Sequence, residues 1–454
     1  MDPLDSIRPL FDLTPETFKV IVDGFKLEYD HGLNTASASG LATMIPSFVT
    51  RLPTGQEKGT FLALDLGGST LRVSAVKLLG NGLVDVREVR RQIAMSDPLR
   101  TGSCETFFDW MADAVAELVE QIPAQPLSMG VCWSFPIDQT DIAKGTSLRM
   151  GKGFNLKGIE GQDLQTLFSQ AFIRKGLNVD VTALLNDTVG TLIAHAYTNP
   201  KARVGFIYGT GVNAAYPEKV SKIVKLQNNN ALKPDTNMLV NTEIDIFGSE
   251  DYLPINRFDR ALDASHNQPE FQLYEKMMSG AYLGELFRLV AMELVSQNNL
   301  FQGNLPTNLQ SAWTFQTSAM SDIERSVDRP TDERLEQLEE IFQFDDKPYV
   351  PTKADLRIVT DICQMVSCRA AALAGASLAS LIEQQSETLL NDNSDDIVIG
   401  VTGSTFELYP RMRERIQDAL TNWFGPSTAT RIRLEIATDG GGIGGALIAM
   451  LHEK

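Results

Sequence analysis

The chain has 454 residues and a formal net charge of −18 at pH 7; 43% of its residues are apolar and 22% are charged. This length exceeds one compact core, so we expect a globular protein of two domains or two lobes. The acidic balance excludes a general nucleic-acid binder and disfavours binding to anionic membranes, because both need a basic surface. A polyanion would have to be held locally, by backbone N–H groups, a few cations and a metal ion.

The N-terminal half alternates predicted strands and helices. Apolar spacing predicts a helix over residues 13–33 and another over 105–121. Two strands, over 61–65 and 71–78, are joined by a glycine turn. The runs LSMGVCW and VDVTALLND predict buried strands, and a helix through Thr191 and His195 follows the second run.

The C-terminal half begins with a second strand, glycine turn and strand over 203–216. One long helix is predicted over 271–297, a mostly solvated acidic helix pair over 320–345, and a strong helix over 355–386. The run DDIVIGVTG predicts a strand and a glycine turn, and RIRLEIATDGGGIGGALIAML predicts a strand, a glycine loop and a helix. The segment around Asn228–Asn230 predicts an exposed loop. This order of strands and helices is typical of the α/β class.

Cysteine usage and apolar runs indicate a cytoplasmic protein. The four cysteines have apolar neighbours and no metal spacing, so we expect reduced core thiols at Cys104, Cys132, Cys363 and Cys368. The run from Ala370 to Ile382 is shorter than the roughly 20 residues that span a bilayer, so it predicts a core helix. The N-terminal segment lacks the apolar core of a secretory signal. Nuclear or mitochondrial association stays open.

The first glycine turn is a candidate phosphate site. In Asp65-Leu66-Gly67-Gly68-Ser69, a hairpin with two glycines exposes backbone N–H groups that can surround phosphate oxygens. It is not a P-loop, because no lysine follows the glycines. Asp65, at a strand end, can hold Mg²⁺ through water. The alternative is a plain hairpin.

Two further segments carry candidate chemistry. Gly209-Thr210-Gly211 offers a second backbone nest with a hydroxyl donor, or else an ordinary tight turn. Asp187, after a buried strand, suits a general base, because a carboxylate there can accept a proton from a bound hydroxyl. The alternative is that Asp187 caps the helix that follows.

Four residues are candidate ligands of a polar substrate. Ser134 precedes a Phe-Pro turn, and Lys152 lies between two glycines. Glu243 and Glu275 offer carboxylates, which accept strong charge-assisted bonds from sugar hydroxyls. Alternatively the first two lie in a surface loop and the two acids are simply solvated.

The order and spacing of these motifs resemble the eukaryotic hexokinase–glucokinase family from about Pro15 to Met450. The motifs that carry the resemblance are FLALDLGGSTLRV, SFP with KGF, LLNDTVGTL, GTGVNAAY, NTE with FG, QLYEKMMSGAYLGELFRLV and TGSTFELYP. The resemblance implies an actin-like, ribonuclease H-like, two-lobed sugar kinase fold with a cleft between the lobes. A small lobe would comprise residues 57–187 and 439–454, and a large lobe 1–56 and 188–438. In sequence, the family's halves would be roughly 10–196 and 200–451.

The family's activity implies ATP-dependent phosphorylation of the 6-hydroxyl of glucose or a related hexose, with Mg²⁺, feeding glycolysis. Asp187 would be the base, with Lys152 beside it. The hexose would be bound by Ser134, Lys152, Asn186, Asp187, Asn213, Glu243 and Glu275. The first phosphate and Mg²⁺ loop would comprise Asp65, Gly67, Gly68, Ser69, Thr70 and Arg72, and the second Gly209 and Thr210. The nucleotide would lie beside Thr317, Gly403, Ser404 and the glycines from Gly440 to Gly444.

The chain departs from the family at several positions. The first turn has Ser69 and Thr70 where the family has Thr-Asn, so Ser69 keeps a hydroxyl and Thr70 loses an amide. Asp245 adds a carboxylate that we expect to raise the pKa of Glu243 by like-charge repulsion. Gly151 replaces threonine and removes a hydroxyl. Further departures are Ile244, Thr402, Gly441, Ile443, Gln316 and Ser326.

These departures leave two interpretations open. One is a working kinase of altered strength; the other is a weak or inactive family member that senses sugar and regulates a protein partner. An actin-like ATPase or structural protein is disfavoured, because Ser134, Glu243 and Glu275 have no place in it. Partners would be the hexose and ATP, with no nucleic acid or membrane, and the chain would be a monomer or homodimer.

Overall fold

The computed structural model describes residues 2–35, 43–120, 122, 126–148, 150–226, 232–344, 348–391 and 395–453. The loop predicted around Asn228–Asn230 and the end of the predicted acidic helix pair, at residue 345, lie outside these residues.

Two mixed sheets organise the described chain. The strands are β1 (Ile45–Pro46), β2 (Lys58–Leu66), β3 (Thr70–Gly80), β4 (Leu83–Gln92), β5 (Leu127–Trp133), β6 (Ile137–Gln139), β7 (Gly145–Ser147), β8 (Val179–Leu185), β9 (Ala202–Tyr208), β10 (Val212–Lys219), β11 (Asn237–Asn241), β12 (Ile397–Thr402) and β13 (Ile432–Ile436). One sheet has the order β4-β3-β2-β5-β8, and the other has the order β1-β11-β10-β9-β12-β13. β6 and β7 pair separately.

The two sheets share a local pattern. In the first sheet β2 pairs with β3 in antiparallel and with β5 in parallel orientation. In the second, β9 pairs with β10 in antiparallel and with β12 in parallel orientation. Each antiparallel hairpin has a glycine turn at its tip, so the recurring glycine pattern of the sequence marks equivalent places in the two sheets.

Helices cover both sheets. They are α1 (Pro15–Asn34), α2 (Cys104–Val119), α3 (Leu164–Arg174), α4 (Asp187–Thr198), α5 (Arg257–Ser265), α6 (Leu273–Met278), α7 (Leu283–Ser296), α8 (Thr307–Gln310), α9 (Thr317–Arg325), α10 (Thr331–Ile341), α11 (Lys353–Gln384), α12 (Ser386–Leu389), α13 (Ser404–Leu408), α14 (Met412–Ala429) and α15 (Gly445–Leu451). Local sequence sets their starts: Thr14 accepts from the backbone N–H of Thr17 at α1, and Thr352 forms a capping box with Asp355 at α11.

The long helix α11 lies in the largest core, against α1, α7 and α14. By length and composition it is apolar enough to cross a membrane, yet 89% of its most apolar window is buried inside the protein. It is therefore a core helix, as its sequence predicts. A smaller core, with Phe61 of β2, Val189 of α4, Ala215 of β10 and Leu447 of α15, connects the two sheets.

Two sequence predictions are wrong. The long helix predicted over 271–297 is two helices, α6 and α7, because the chain breaks at residues 279–282 to contact the second glycine turn. The thiols of Cys104, Cys132 and Cys363 are buried as predicted, but Cys368 is exposed, since it faces outward from α11.

Candidate active site

The first glycine turn connects β2 to β3. The backbone N–H of Gly67 donates to the carbonyl of Thr70, and the carbonyl of Ser69 accepts from the N–H of Ile93 at the end of β4. Thr70 begins β3, and its hydroxyl donates to the side chain of Gln92 across the sheet at 3.2 Å. The turn is therefore held in place by its neighbours, and the Thr70 side chain is used between strands.

Arg72 ties this turn to the final glycine loop. It lies opposite Asp65 in the β2–β3 register and donates to Asp65 Oδ2 at 2.9 Å and to Asp439 Oδ1 at 2.6 Å. Burial raises the pKa of Asp65, and Arg72 acts against that rise. Arg72 also forms a longer ion pair with Glu88, at 3.7 Å, so three carboxylates offset its charge. Asp65 thus has one oxygen, Oδ2, engaged by Arg72.

Lys152 connects the first glycine turn to the loop of residues 150–154, called the sugar loop below. It has a left-handed backbone, φ 56°, and its ammonium donates to the carbonyl of Ser134 at 2.8 Å. A Cβ on Gly68 would lie 3.3 Å from the Lys152 side chain, so only a residue as small as glycine leaves this contact undisturbed. The predicted sugar lysine and the predicted phosphate turn are therefore neighbours.

Arg100 is a residue that the sequence interpretation missed. Its side chain is 1% exposed and donates to four carbonyls: Gly68 at 2.6 Å, Lys152 at 2.7 Å, Ala94 at 2.8 Å and Ile93 at 2.9 Å. It therefore connects the phosphate turn with the sugar loop. No motif marks it; the only signal was an arginine beside a turn, which is usually solvated.

Asp187 opens α4, but it does not cap that helix. The cap is Asn186, whose side-chain oxygen accepts from the N–H of Thr188 at 2.8 Å. This corrects the capping alternative for Asp187, whose Oδ1 accepts from the Thr188 hydroxyl at 3.3 Å. Burial raises the pKa of Asp187; Lys152 opposes that rise and Asp65 adds to it. The carboxylate is thus free for a substrate and lies close to both charged groups.

The second glycine turn is held by the break between α6 and α7. The carbonyl of Gly209 accepts from the N–H of Gly280 at 2.8 Å, and the carbonyl of Thr210 accepts from the Ser279 hydroxyl at 3.0 Å. The Thr405 hydroxyl also donates to the Gly209 carbonyl at 2.7 Å. Thr210 itself is exposed, so its hydroxyl can reach a ligand.

Glu275 joins the predicted sugar set to this second turn. Its Oε2 accepts from the N–H of Val212 at 2.9 Å, and a Cβ on Gly211 would lie 2.6 Å from that oxygen. A larger residue at 211 would therefore displace the Glu275 carboxylate. Burial raises the pKa of Glu275 to about 7, with a further contribution from Asp245.

Glu243 belongs to an amide and carboxyl cluster. Its Oε1 accepts from the side-chain amides of Asn241 and, at 3.4 Å, Asn213, and Asn213 also donates to Asn241 at 3.0 Å. Asn241 was missed, although it directly precedes the Thr-Glu pair of the motif. Burial first, and Asp245 second, raise the pKa of Glu243 to about 8. The repulsion expected from Asp245 is therefore present, but burial is the larger cause.

The predicted nucleotide residues surround the second turn. The Thr317 hydroxyl accepts from the N–H of Gly284 at 2.9 Å and donates to the carbonyl of Gly280 at 2.7 Å. A Cβ on Gly209 would lie 3.2 Å from Gly403 and 3.3 Å from the nitrogen of Ser404. Thr317 thus secures the break beside the turn, while Ser404 is exposed.

Glu407 provides an acid to this loop. It accepts from the N–H of Gly403 at 2.8 Å and from the Thr402 hydroxyl at 3.4 Å. Thr402 is one of the departures from the family pattern, and a carboxylate from one helical turn further on reaches the same loop. The sequence interpretation did not consider it.

The final glycine loop closes against α4 and β2. A Cβ on Gly440 would lie 2.6 Å from the Thr191 nitrogen, and one on Gly441 would lie 2.4 Å from Asp65 Oδ2. A Cβ on Gly444 would lie 2.3 Å from the Gly190 carbonyl. Contact of Gly440 to Gly444 with a nucleoside stays a prediction, since the neighbours described here are protein groups.

The fold and the site together define a phosphotransferase class. Each sheet has a hairpin with a glycine turn at its tip, and Asp187 follows the parallel strand β8 at the start of α4. Amide and carboxyl side chains suited to a polyhydroxy substrate lie on and next to the second hairpin. This is the arrangement of a two-lobed sugar kinase.

Comparison with known proteins gives the family. Two family models, each described as Hexokinase, match residues 3–197 and 203–451. Hexokinase-1 of Schizosaccharomyces pombe is 33% identical, with 100% of this chain and 91% of that protein covered, and Hexokinase-1 of Saccharomyces cerevisiae is 34% identical, with 100% and 93% covered. The solved hexokinase of Schistosoma mansoni, complexed with glucose, is 35% identical with a TM-score of 0.80 and covers 98% of this chain and 97% of its own. The chain belongs to the hexokinase family, whose kinases use ATP, typically with Mg²⁺.

Proposed function

We propose that the protein transfers the γ-phosphoryl group of ATP to the 6-hydroxyl of glucose or a closely related hexose, with Asp187 as the general base. The observation that carries this proposal is that the residue that caps α4 is not the acid that would serve as the base. Asn186 caps the helix, so the Asp187 carboxylate is left free beside Lys152 and Asp65. A carboxylate in hydrogen-bonding reach of a hydroxyl, at about 2.6–3.2 Å, can accept its proton during attack.

The other roles follow from position. The hexose hydroxyls would be bound by Asn186, Asn213, Glu243 and Glu275, with Ser134 and Lys152 from the opposite loop. The phosphates would lie between the two glycine turns, whose N–H groups and the Thr210 hydroxyl are donors for them. Mg²⁺ supplies charge neutralisation on the phosphates, and Asp65 is the acid placed to hold it through water.

Water competes with the sugar as nucleophile. The first glycine turn belongs to one sheet and the second to the other. Closure of one lobe on the other after the hexose binds would therefore complete the site and exclude water. A cytoplasmic location and a monomer or homodimer state belong to this proposal as untested expectations.

A coupled assay of ADP release tests the proposal. Wild type is compared with Asp187→Ala and with Asp180→Ala, which removes an exposed acid from the adjacent strand β8. We expect hexose-dependent release in wild type and in Asp180→Ala, and a loss of about 10²–10⁴-fold in Asp187→Ala. Wild-type turnover no greater than that of Asp187→Ala contradicts the proposal and favours a sugar-sensing regulator.

A further inference from the structure

The sugar end of the site has more carboxyl groups than nearby cations. Glu243, Asp245 and Glu275 are close enough to affect one another's pKa, and Asp187 also acts on Glu243. Within the described ranges, none of these four acids forms an ion pair with a lysine or arginine. Lys276, the nearest cation in sequence to Glu275, is taken by Asp263 at 2.6 Å.

Asp245 is the least satisfied member of this set. Its Oδ2 accepts from the Gln272 amide at 2.7 Å, and its Oδ1 is buried. Among the described residues no N–H or hydroxyl donates to that Oδ1, and the Glu243 carboxyl is the neighbour that shares a proton with Asp245. Its neighbour Glu243 accepts from two amides through the same oxygen, Oε1. Two carboxyl groups that have a single proton between them and no other donor to Asp245 Oδ1 are poorly satisfied, so this geometry favours a ligand that brings a further donor.

We propose that Asp245 is a specificity-determining residue that selects a hexose bearing a nitrogen substituent, an amino hexose, over the corresponding plain hexose. The inference rests on the proposed kinase function, and it names the substrate class of that site. An amine or an amide N–H donates to Asp245 Oδ1, whereas a glycine at this position would offer no side-chain acceptor.

Charge and space both support this choice. A cationic amine offsets part of the surplus of carboxylates, which a neutral sugar cannot do. On the opposite side, the sugar loop has Gly151, where an added Cβ would meet nothing within 4 Å. Gly151 is exposed, so a larger substituent on this side of the hexose would meet no side chain at residue 151.

The number of protons released on binding distinguishes a cationic amino hexose from a neutral, acylated one. Two close, buried carboxyls cannot both ionise readily, so Glu243 and Asp245 share a proton in the free protein. An ammonium group replaces that proton, which passes to the buffer as both carboxyls become anionic. A neutral acylated amine donates its N–H to Asp245 and leaves the shared proton in place.

The test is a specificity ratio. Values of kcat/KM for glucosamine and N-acetylglucosamine are each divided by the value for glucose, in wild type, Asp245→Gly, Asp245→Asn and Asp328→Asn. Asp328→Asn is the matched control, because it removes one negative charge from an exposed position. Calorimetry near pH 6 in two buffers of different ionisation enthalpy counts the protons released on binding, and thermal unfolding checks that each variant folds.

In wild type and in Asp328→Asn, we expect kcat/KM for at least one of the two amino hexoses, glucosamine and N-acetylglucosamine, to exceed kcat/KM for glucose. In Asp245→Gly, the ratio of that value to the value for glucose should fall about tenfold or more. Glucosamine binding should release about one proton, and N-acetylglucosamine binding none. Ratios below one in wild type, or unchanged in a folded Asp245→Gly, overturn the inference while the kinase function stands. If no hexose is phosphorylated, the proposed function fails, and the ratio of calorimetric Kd values then decides the inference by the same criterion.

Discussion

Asn186 caps α4, and Asp187 is the candidate base; one side chain could not perform both roles. Both residue types favour the start of a helix, so the sequence alone leaves open which of them caps α4. The structure assigns the cap to Asn186, because its oxygen reaches the Thr188 N–H at 2.8 Å. The choice decides the chemistry, since a capping carboxylate would be engaged with backbone N–H groups and would be a poor base.

The buried acids of the sugar site predict how stability depends on pH. Glu243 and Glu275 have pKa values of about 8 and about 7 in the folded protein, against an ordinary 4.5. Between about pH 5 and pH 8 the folded state therefore binds more protons than the unfolded state, and its stability falls as the pH rises. We expect Tm to drop by roughly 2–5 °C across this window by differential scanning calorimetry.

Replacement of one acid isolates this effect. Glu243→Gln should flatten the dependence of Tm on pH, while Glu160→Gln, at an exposed position, should leave its slope unchanged. An equal slope in wild type and Glu243→Gln would show that the Glu243 carboxyl does not titrate as described.

Thr70 is the departure in the first turn that is most open to test. Its hydroxyl is engaged with Gln92, so it contributes to the sheet rather than to a ligand. Asparagine offers both a donor and an acceptor, and Thr70→Asn should raise kcat/KM for ATP by up to about tenfold. Steady-state kinetics with Thr101→Asn, at an exposed position, as the control would measure this; no change means that the turn functions equally well with threonine.

At the scale of elements, contacts between loops that are distant in sequence determine the site. Arg100 connects the first turn, residue 68, to the sugar loop, residue 152, through backbone carbonyls. We expect this link to couple nucleotide binding to hexose binding. Arg100→Met should therefore reduce the coupling, measured as the ratio of the Kd of a nonhydrolysable ATP analogue without and with hexose, towards one.

A conservative variant separates coupling from folding. Arg100→Lys keeps a cation and a part of the hydrogen bonds, so it should restore some of the coupling that Arg100→Met loses. If Arg100→Met lowers Tm but keeps the wild-type coupling ratio, Arg100 stabilises the lobe without linking the two loops.

Contacts between elements also explain why part of the site could not be predicted from the sequence. Strands, helix starts and glycine turns depend on local sequence, and β2, β3, β9, β10 and α4 lie close to their predicted ranges. The break at residues 279–282 depends on Gly209 and Thr210, about 70 residues earlier in the chain, so helical periodicity predicted one helix. Arg100, Asn241 and Glu407 act through contacts distant in sequence or through backbone groups, and residue type alone gives no sign of these.

At the scale of the whole molecule, the α/β fold of a two-lobed sugar kinase follows from the order of motifs, and the family comparison confirms it. The core between the two sheets contains Val189 of α4 and Leu447 of α15, so the helix that Asp187 opens is packed against both sheets. The predicted division at 57–187 and 439–454 against the rest of the chain stays a prediction, as do the roles of the individual site residues.

Identification of the reaction product is the most direct test of phosphoryl transfer to the sugar 6-hydroxyl with Asp187 as the base. Wild-type protein and Asp187→Ala are incubated with Mg-ATP and a hexose, and the products are followed by phosphorus NMR. We expect a sugar phosphorylated on its 6-hydroxyl in amounts equal to the ADP formed, and none above background with Asp187→Ala. ATP hydrolysis at the same rate with and without hexose, or a phosphoryl group on another hydroxyl, would contradict this expectation.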